Sequence, residues 1–398
     1  MSARVVVTGA GTVNALAHDV PGTLAALARG DCAIGPLELR DLDRLSIRIG
    51  AQVRGWPGLT GMTAREAALW DPFTRYALAA ADEALAMAGL TGAERAPAGA
   101  IIGTAAGGIS TWEDNYRAVL AEGRDRVPPL VVPRLMHNAA ASHISIRHGL
   151  RGPSFSVSSA CASATHAIGL AFQMVRSGQA PVMLAGGSEA MLVFGGIKAW
   201  EGLRVLSPTG CRPFDAARSG LVMGEGAAVF VLEDAGHAAA RGAVPLFEVA
   251  GFGMTSDAGD IVAPSTEGAT AAMRAALADA AMAPGEVGYV NAHGTGTQAN
   301  DRAEAAALCD VFGAQGPRIG STKGAHGHAI GATGAIELLA CLSALRDGIV
   351  PPTVGCLDPE PGLGLALVLK TERAAVTAAL SNSFAFGGLN AVLALRAA

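Results

Sequence analysis

Cys161 lies in SVSSACAS at 156–163, between a β-branched apolar run and the start of an alanine-rich helical stretch. A thiol at a helix N-terminus meets the positive end of the dipole and unpaired first-turn N–H groups. Both favour an anion, so Cys161 is expected to be a thiolate nucleophile. A buried structural cysteine is the commoner fate of that residue type. Partners further along the chain favour the chemical reading. NAHGTGT at 291–297 follows the apolar GYV and puts His293 at the carboxyl end of a strand, on a glycine turn that lets backbone approach a ligand. STKGAHGHAIGATGAIE at 321–337 carries Lys323, His326, His328 and Glu337 in a loop running into a helix, and SNSFAFGGLN at 381–390 adds a glycine turn with backbone N–H groups. A thiol, imidazoles and an oxyanion-type donor set are the inventory for acyl transfer through a thioester. From the residues alone either His326 or His328 can face such a site.

The elements that must position these groups read as alternating strands and helices. VVVTG precedes a helix over 19–29, AGAIIG precedes one over 110–121, and strands are expected at PVMLAGG near 181 and AAVFVLE near 227. A second set begins at PLFEVAGFGM. It continues with a helix over 268–282, a strand over 287–291, a helix over 300–311, and a closing strand pair LALVLK and AVLALR. That alternation indicates α/β layers. HAIG occurs at 166–169 and again at 328–331, each read as lying just inside a helix after a reactive loop, which suggests an internal duplication. His166 reads as a packed core histidine. Cys211, in PTGCRPFD with no helix start after it, reads as structural.

Composition excludes several function classes. At 398 residues, 51% hydrophobic and 16% charged, the chain can bury a large core and exceeds the size at which single cores divide, so two intimately packed halves are expected. A net charge of -5 gives no general attraction to nucleic acid or to anionic lipid. The most apolar part, 155–175, is interrupted by serines, His166 and Gln173, so no membrane span is expected. Six cysteines without C-x-x-C spacing point to the cytoplasm rather than a disulfide framework. Gly9-Ala10-Gly11 begins a dinucleotide-like glycine pattern, but Asn14 stands where its third glycine would be.

In their order along the chain, the Cys161 box, NAHGTGT with His293, STK with the GH pair at His328, and the FAFGG turn resemble the β-ketoacyl-acyl-carrier-protein synthases of the elongating type II. The resemblance runs from VVVTGAG at 5–11 to the last strand. It selects His328 over His326, and its two histidines separate the chain from the Cys-His-Cys thiolases and the Cys-His-Asn priming synthases. It implies an α/β, thiolase-like fold with duplicated halves in a five-layered α-β-α-β-α architecture. Residues 1–250 would carry the nucleophile and 251–398 both histidines. It further implies an acyl chain on Cys161, oxyanion donors from the backbone of Cys161 and Phe386, and enolate donors from His293 and His328. Lys323 and Glu337 would form a supporting pair, Thr295 and Thr297 would hold pantetheine, and Ala106 with Phe386 would border the acyl pocket. No metal or other cofactor is implied, since 4'-phosphopantetheine arrives on the carrier. The expected partners are acyl- and malonyl-acyl-carrier protein, and either a second copy or a ketosynthase-like chain-length factor.

Three departures bear on substrate. The loop between Leu206 and Arg212 is a short SPTGC, and MTAREAALWD at 62–71 keeps Arg65 but has Ala68 and Leu69 where the housekeeping enzymes carry basic residues for an acidic carrier. Arg124, Arg126 and Arg204 are the remaining basic candidates. Ala106 stands where those enzymes have a bulky isoleucine, which opens room for a longer or stiffer chain. The substrate implied is a specialised one: a polyketide, a polyene, or a modified fatty acid of the nodulation type.

Overall fold

In a computed structural model, which describes residues 3–67, 69–313 and 316–398, ten strands form one hydrogen-bonded series. They are β1 (Val5–Asn14), β2 (Gly99–Gly103), β3 (Ser154–Val157), β4 (Val182–Glu189), β5 (Gly226–Asp234), β6 (Phe247–Ser256), β7 (Tyr289–Asn291), β8 (Arg318–Gly320), β9 (Ala378–Ala385) and β10 (Leu389–Arg396). Their order is β8-β7-β9-β10-β6-β1-β5-β4-β2-β3. Read outward from the middle, β1-β5-β4-β2-β3 pair antiparallel, antiparallel, parallel, parallel. The series β6-β10-β9-β7-β8 repeats the same four relations. Among the described residues, only the pairing of Val5–Val7 with Phe247–Val249 joins the two. The repeat of strand directions is the structural form of the duplication.

The main helices are α1 (Val20–Arg29), α2 (Pro72–Ala88), α3 (Ile109–Tyr116), α4 (Ala139–His148), α5 (Ser163–Arg176), α6 (Thr266–Asp279), α7 (Gln298–Phe312) and α8 (Thr333–Asp347). Residues Thr333 to Leu345 of α8 are all buried, because α8 and α5 lie between the two half-sheets and pack on strands of both. A helix apolar all round is what such a place requires. α2 and α4 cover the outer face of the first half, α6 and α7 that of the second, each over its own apolar cluster. The five-layered thiolase-like arrangement results. At Gly103 a Cβ would sit 2.3 Å from the carbonyl carbon of Ser163, so glycine there lets α5 rest directly on β2.

Two sequence expectations are corrected. LALVLK forms no strand; Leu367 makes a single bridge to Ile319, and the closing hairpin is β9–β10. β9 contains Ser381, Asn382 and Ser383 and so reads as a loop in sequence, yet it is buried along its length. The two HAIG copies are also not equivalent. His166 is in the first turn of α5, whereas the His328 N–H donates to Val222 O (2.7 Å), which pins His328 before α8 begins at Thr333. The helix over 110–121 is found as α3 continued by one π-helical turn, Arg117–Ala121. Of 62–71, Ala64–Ala67 is helical; Ala68 and the side chain of Arg65 lie outside the described residues. Among the described residues no helix is long and apolar enough to cross a membrane.

Candidate active site

The turn from β3 into α5 presents Cys161. Ala160, the residue before it, has φ 48°, and Ser163 Oγ braces the turn by accepting from Ser159 N–H (2.9 Å) and donating to Ala160 O (2.6 Å). His293 follows β7. Its backbone N–H and that of Gly294 each donate to one oxygen of the Glu304 carboxylate on α7, both at 2.7 Å. His328 precedes a single 3-10 turn in which Ile330 has φ 46°, an uncommon conformation for a β-branched residue. These three turns bring Cys161 Sγ and a ring nitrogen of each histidine within 4.8 Å of one another. The imidazole rings stand 5.5 Å apart at 84°. His326 is turned away, bonded to Thr322 Oγ1 (2.9 Å) and Gly327 O (2.8 Å).

Hydrogen bonding fixes the histidine tautomers. The Lys323 ammonium has three N–H donors and three acceptors within reach: Glu337 Oε1 (2.6 Å), the His293 carbonyl, and His293 Nδ1 (3.3 Å). His328 Nδ1 accepts from Ile330 N–H (3.1 Å) and lies 2.9 Å from Thr333 Oγ1. With Nδ1 an acceptor in both rings, a neutral imidazole carries its proton on Nε2. Burial, then the Lys323 charge, holds both histidines well below the usual imidazole range, so they are neutral N–H donors at working pH. Binding a metal through Nε2 would force that proton onto Nδ1, where Lys323 and the Ile330 N–H already point. The hydrogen bonds at Nδ1 thus favour donation from the two Nε2–H groups.

The resting thiolate expected for Cys161 is not what its surroundings favour. Burial pushes the thiol up to about 12, Lys323 pulls it down, and Glu189 pushes it further up. The helix end acts in the other direction, but α5 begins two residues later, at Ser163. Together these surroundings favour the neutral thiol at rest.

Cys161, His293, His328, Thr295, Thr297 and Phe386 share one cavity with about 810 Å³ of empty space, part of it open to solvent. The two threonine hydroxyls are 2.9 Å apart. The Phe386 ring stacks on Trp200 with centroids 5.8 Å apart, and among the described residues its backbone N–H has no carbonyl acceptor. Lys323 and Glu337 are paired directly beneath, fully buried. Ala106, expected to border the acyl pocket with Phe386, does not line this cavity; its N–H donates to Glu189 Oε1 (3.2 Å). Cys211 is buried near Thr295 O, and His166 bonds Ser159 Oγ (2.8 Å), as structural roles require. Sequence reasoning missed Glu304 and Asp301, whose carboxylates hold the glycine loop by its N–H groups, Asp301 taking those of Thr295 (3.0 Å) and Gly296 (3.2 Å). Their signal was present: two acids three residues apart in an otherwise alanine-rich helix that starts straight after that loop.

Known proteins resemble this chain along its whole length. The profile of the beta-ketoacyl synthase N-terminal domain matches residues 2–238, and that of its C-terminal domain residues 246–357. The chain is 46% identical over 401 residues to nodulation protein E of Rhizobium sp. (strain N33), covering 100% of both chains. It is 38% identical over 407 residues to 3-oxoacyl-acyl-carrier-protein synthase 2 of Vibrio harveyi, covering 99% of this chain and 98% of that one. The solved structure of the ishigamide ketosynthase/chain length factor superposes with a TM-score of 0.96 at 31% identity, covering 100% of each chain. By sequence and by fold, the chain belongs to the beta-ketoacyl synthases, acyltransferases that join an acyl thioester to a malonyl unit with loss of carbon dioxide.

Proposed function

We propose that Cys161 carries the growing acyl chain and that His293 and His328 drive the decarboxylation. The Cys161 sulfur attacks the acyl-carrier thioester, and its proton passes to the departing pantetheine sulfur. The tetrahedral oxyanion accepts from the backbone N–H groups of Cys161 and Phe386. Malonyl-carrier protein then enters, its pantetheine arm held by Thr295 and Thr297. Loss of carbon dioxide leaves an enolate whose oxygen accepts from the two Nε2–H groups. Its carbon attacks the acyl-Cys161 carbonyl, the β-ketoacyl-carrier protein departs, and the Cys161 thiolate takes up one proton. Pantetheine arrives on the carrier, and no step calls for a bound metal. The observation that carries this reading is the shared tautomer: two neutral donors face one thiol, and neither is set up as a base.

The substrate read from sequence and relatives is a specialised acyl chain, of the kind a nodulation-type pathway would modify. The 46% identity to a nodulation protein E, against 38% to a 3-oxoacyl-acyl-carrier-protein synthase 2, supports this. We place the enzyme in the cytoplasm, paired with a second copy or a chain-length-factor-like subunit. Leu120, Val132 and Ile146 are exposed, and Trp112 stacks on the exposed Tyr116, so apolar side chains are available to such a contact. A non-catalytic partner role is disfavoured, because the nucleophile and both histidines are present.

The test is intact-mass spectrometry of wild type and Cys161→Ala after incubation with acyl-carrier proteins of several chain lengths, followed by malonyl-carrier protein. Acylation of wild type only, then a two-carbon β-keto extension, is expected. Acylation of Cys161→Ala, or extension without prior acylation, would refute the assignment.

A further inference from the structure

Glu189, the last residue of β4, is fully buried yet takes no part in the steps above. Every group bonded to its carboxylate is a donor. Oε2 accepts from Ala105 N–H (2.7 Å) and Gly331 N–H (3.1 Å). Oε1 accepts from Ala106 N–H (3.2 Å) and Thr104 Oγ1 (3.2 Å), and that hydroxyl in turn accepts from Gly107 N–H (3.1 Å). The partners belong to two separate segments: the loop 104–107 after β2, and the turn 330–332 whose Ile330 N–H fixes His328 Nδ1. The segments are in backbone contact across the carboxylate. A Cβ on Gly331 would lie 2.4 Å from Ala105 N and 2.5 Å from Glu189 Oε2.

We propose that Glu189 is a positioning residue for decarboxylation: it braces the turn behind His328 against the loop that bears Ala106, and so keeps His328 Nε2–H aimed into the cavity. The inference rests on His328 being an enolate donor, as set out above. A carboxylate suits the place because both oxygens must accept. The amide of a glutamine has one acceptor oxygen, so its NH₂ would face either the Ala105 and Gly331 N–H groups or the Ala106 N–H, with the Thr104 hydroxyl the one partner able to turn and accept. The Gly331 anchor, the Ile330 N–H and the His328 tautomer would loosen together. Neither the Cys161 sulfur nor the Phe386 N–H is hydrogen-bonded to this network, and burial, reinforced by the Glu189 charge, holds the Cys161 thiol up, so removing that charge should not slow acylation.

The two half-reactions separate this role from a merely structural one. Cys161 acylation is followed by intact mass, and malonyl-carrier decarboxylation by carbon dioxide release, in wild type, Glu189→Gln and Thr104→Val. For Glu189→Gln we expect acylation within about threefold of wild type and decarboxylation slower by about tenfold or more, with Thr104→Val shifted the same way by less. Equal losses in both half-reactions, or no change in their ratio, would overturn the proposal. Thr104→Val alone decides it in the same way if Glu189→Gln does not fold. Failure of wild type itself to acylate or decarboxylate would defeat the proposed function instead.

Discussion

The ionisation of Cys161 can be tested by its alkylation rate as a function of pH. Burial places the thiol at about 12, with the Lys323 charge already acting on it. A helix end contributes about 2 kcal/mol at most, or about 1.5 pH units, and α5 starts beyond the residue rather than at it. The thiol therefore stays above about 10, and the thiolate fraction at pH 7 is about one in a thousand or less. The rate of iodoacetamide attack on Cys161 should then rise tenfold per pH unit with no plateau, by about 300-fold between pH 7 and 9.5. Intact-mass kinetics of wild type, with Cys161→Ala as the background for the exposed Cys32, would measure it. Lys323→Met should lower the rate at every pH and leave the slope unchanged. A plateau below pH 9 would mean that a thiolate is preformed and that the desolvation argument fails.

Glu304→Gln should lower kcat by about 10- to 100-fold with little change in KM, because an amide cannot accept both the His293 and the Gly294 N–H; activity within twofold of wild type would contradict this. Thr297→Val should raise KM for malonyl-carrier protein several-fold while kcat holds, and should cost about 1 kcal/mol of stability through the lost N-cap of α7, both restored in Thr297→Ser. A fall in kcat at constant KM would exclude a pantetheine role. His326 is depressed to about 3, below its unfolded value near 6.5, so the stability it supports is present above pH 6.5 and is lost as pH falls towards 3. In denaturant titrations, wild type should lose about 2 kcal/mol relative to His326→Gln between pH 8 and pH 5, and a constant difference would show that His326 titrates normally.

The strands and reactive loops that sequence revealed are those whose local pattern matches their surroundings. Val182–Glu189 opens with VMLA and Gly226–Asp234 holds AAVFVL, apolar runs buried on both faces, so composition alone marks them. β9 was obscured by chemistry satisfied from elsewhere. Ser383 Oγ pairs with Thr165 Oγ1 (2.7 Å) on α5, and Asn382 Nδ2 donates to Glu304 (3.2 Å), so polar residues sit in a buried strand without a period that betrays them. The helix end near Cys161 is likewise local, whereas the burial that dominates its ionisation comes from packing between the two halves and is invisible in SVSSACAS. Glu189 is the extreme case, since its partners at 104–106 and 331 come together only in the fold.

The duplication also explains why the site lies where it does. Cys161 follows β3 into α5, and Lys323 to His328 follow β8 into α8; β3 and β8 are the outermost parallel strands of their half-sheets, and α5 and α8 are the two central helices. His293 comes from the neighbouring strand β7. Reactive groups thus gather at the carboxyl ends of parallel strands, where open α/β sheets leave a crevice. Two copies of one strand-to-helix turn face each other across the central layer. In one copy the turn tightens at Ala160 to present a sulfur; in the other it is stretched through Ile330 and pinned at His328 to present an N–H. Each left-handed residue costs about 1–3 kcal/mol, which the packing of a helix buried between two sheets helps to hold in place. The offset between the two HAIG segments follows from this divergence: equivalent turns were given different lengths because one must offer a nucleophile and the other a donor.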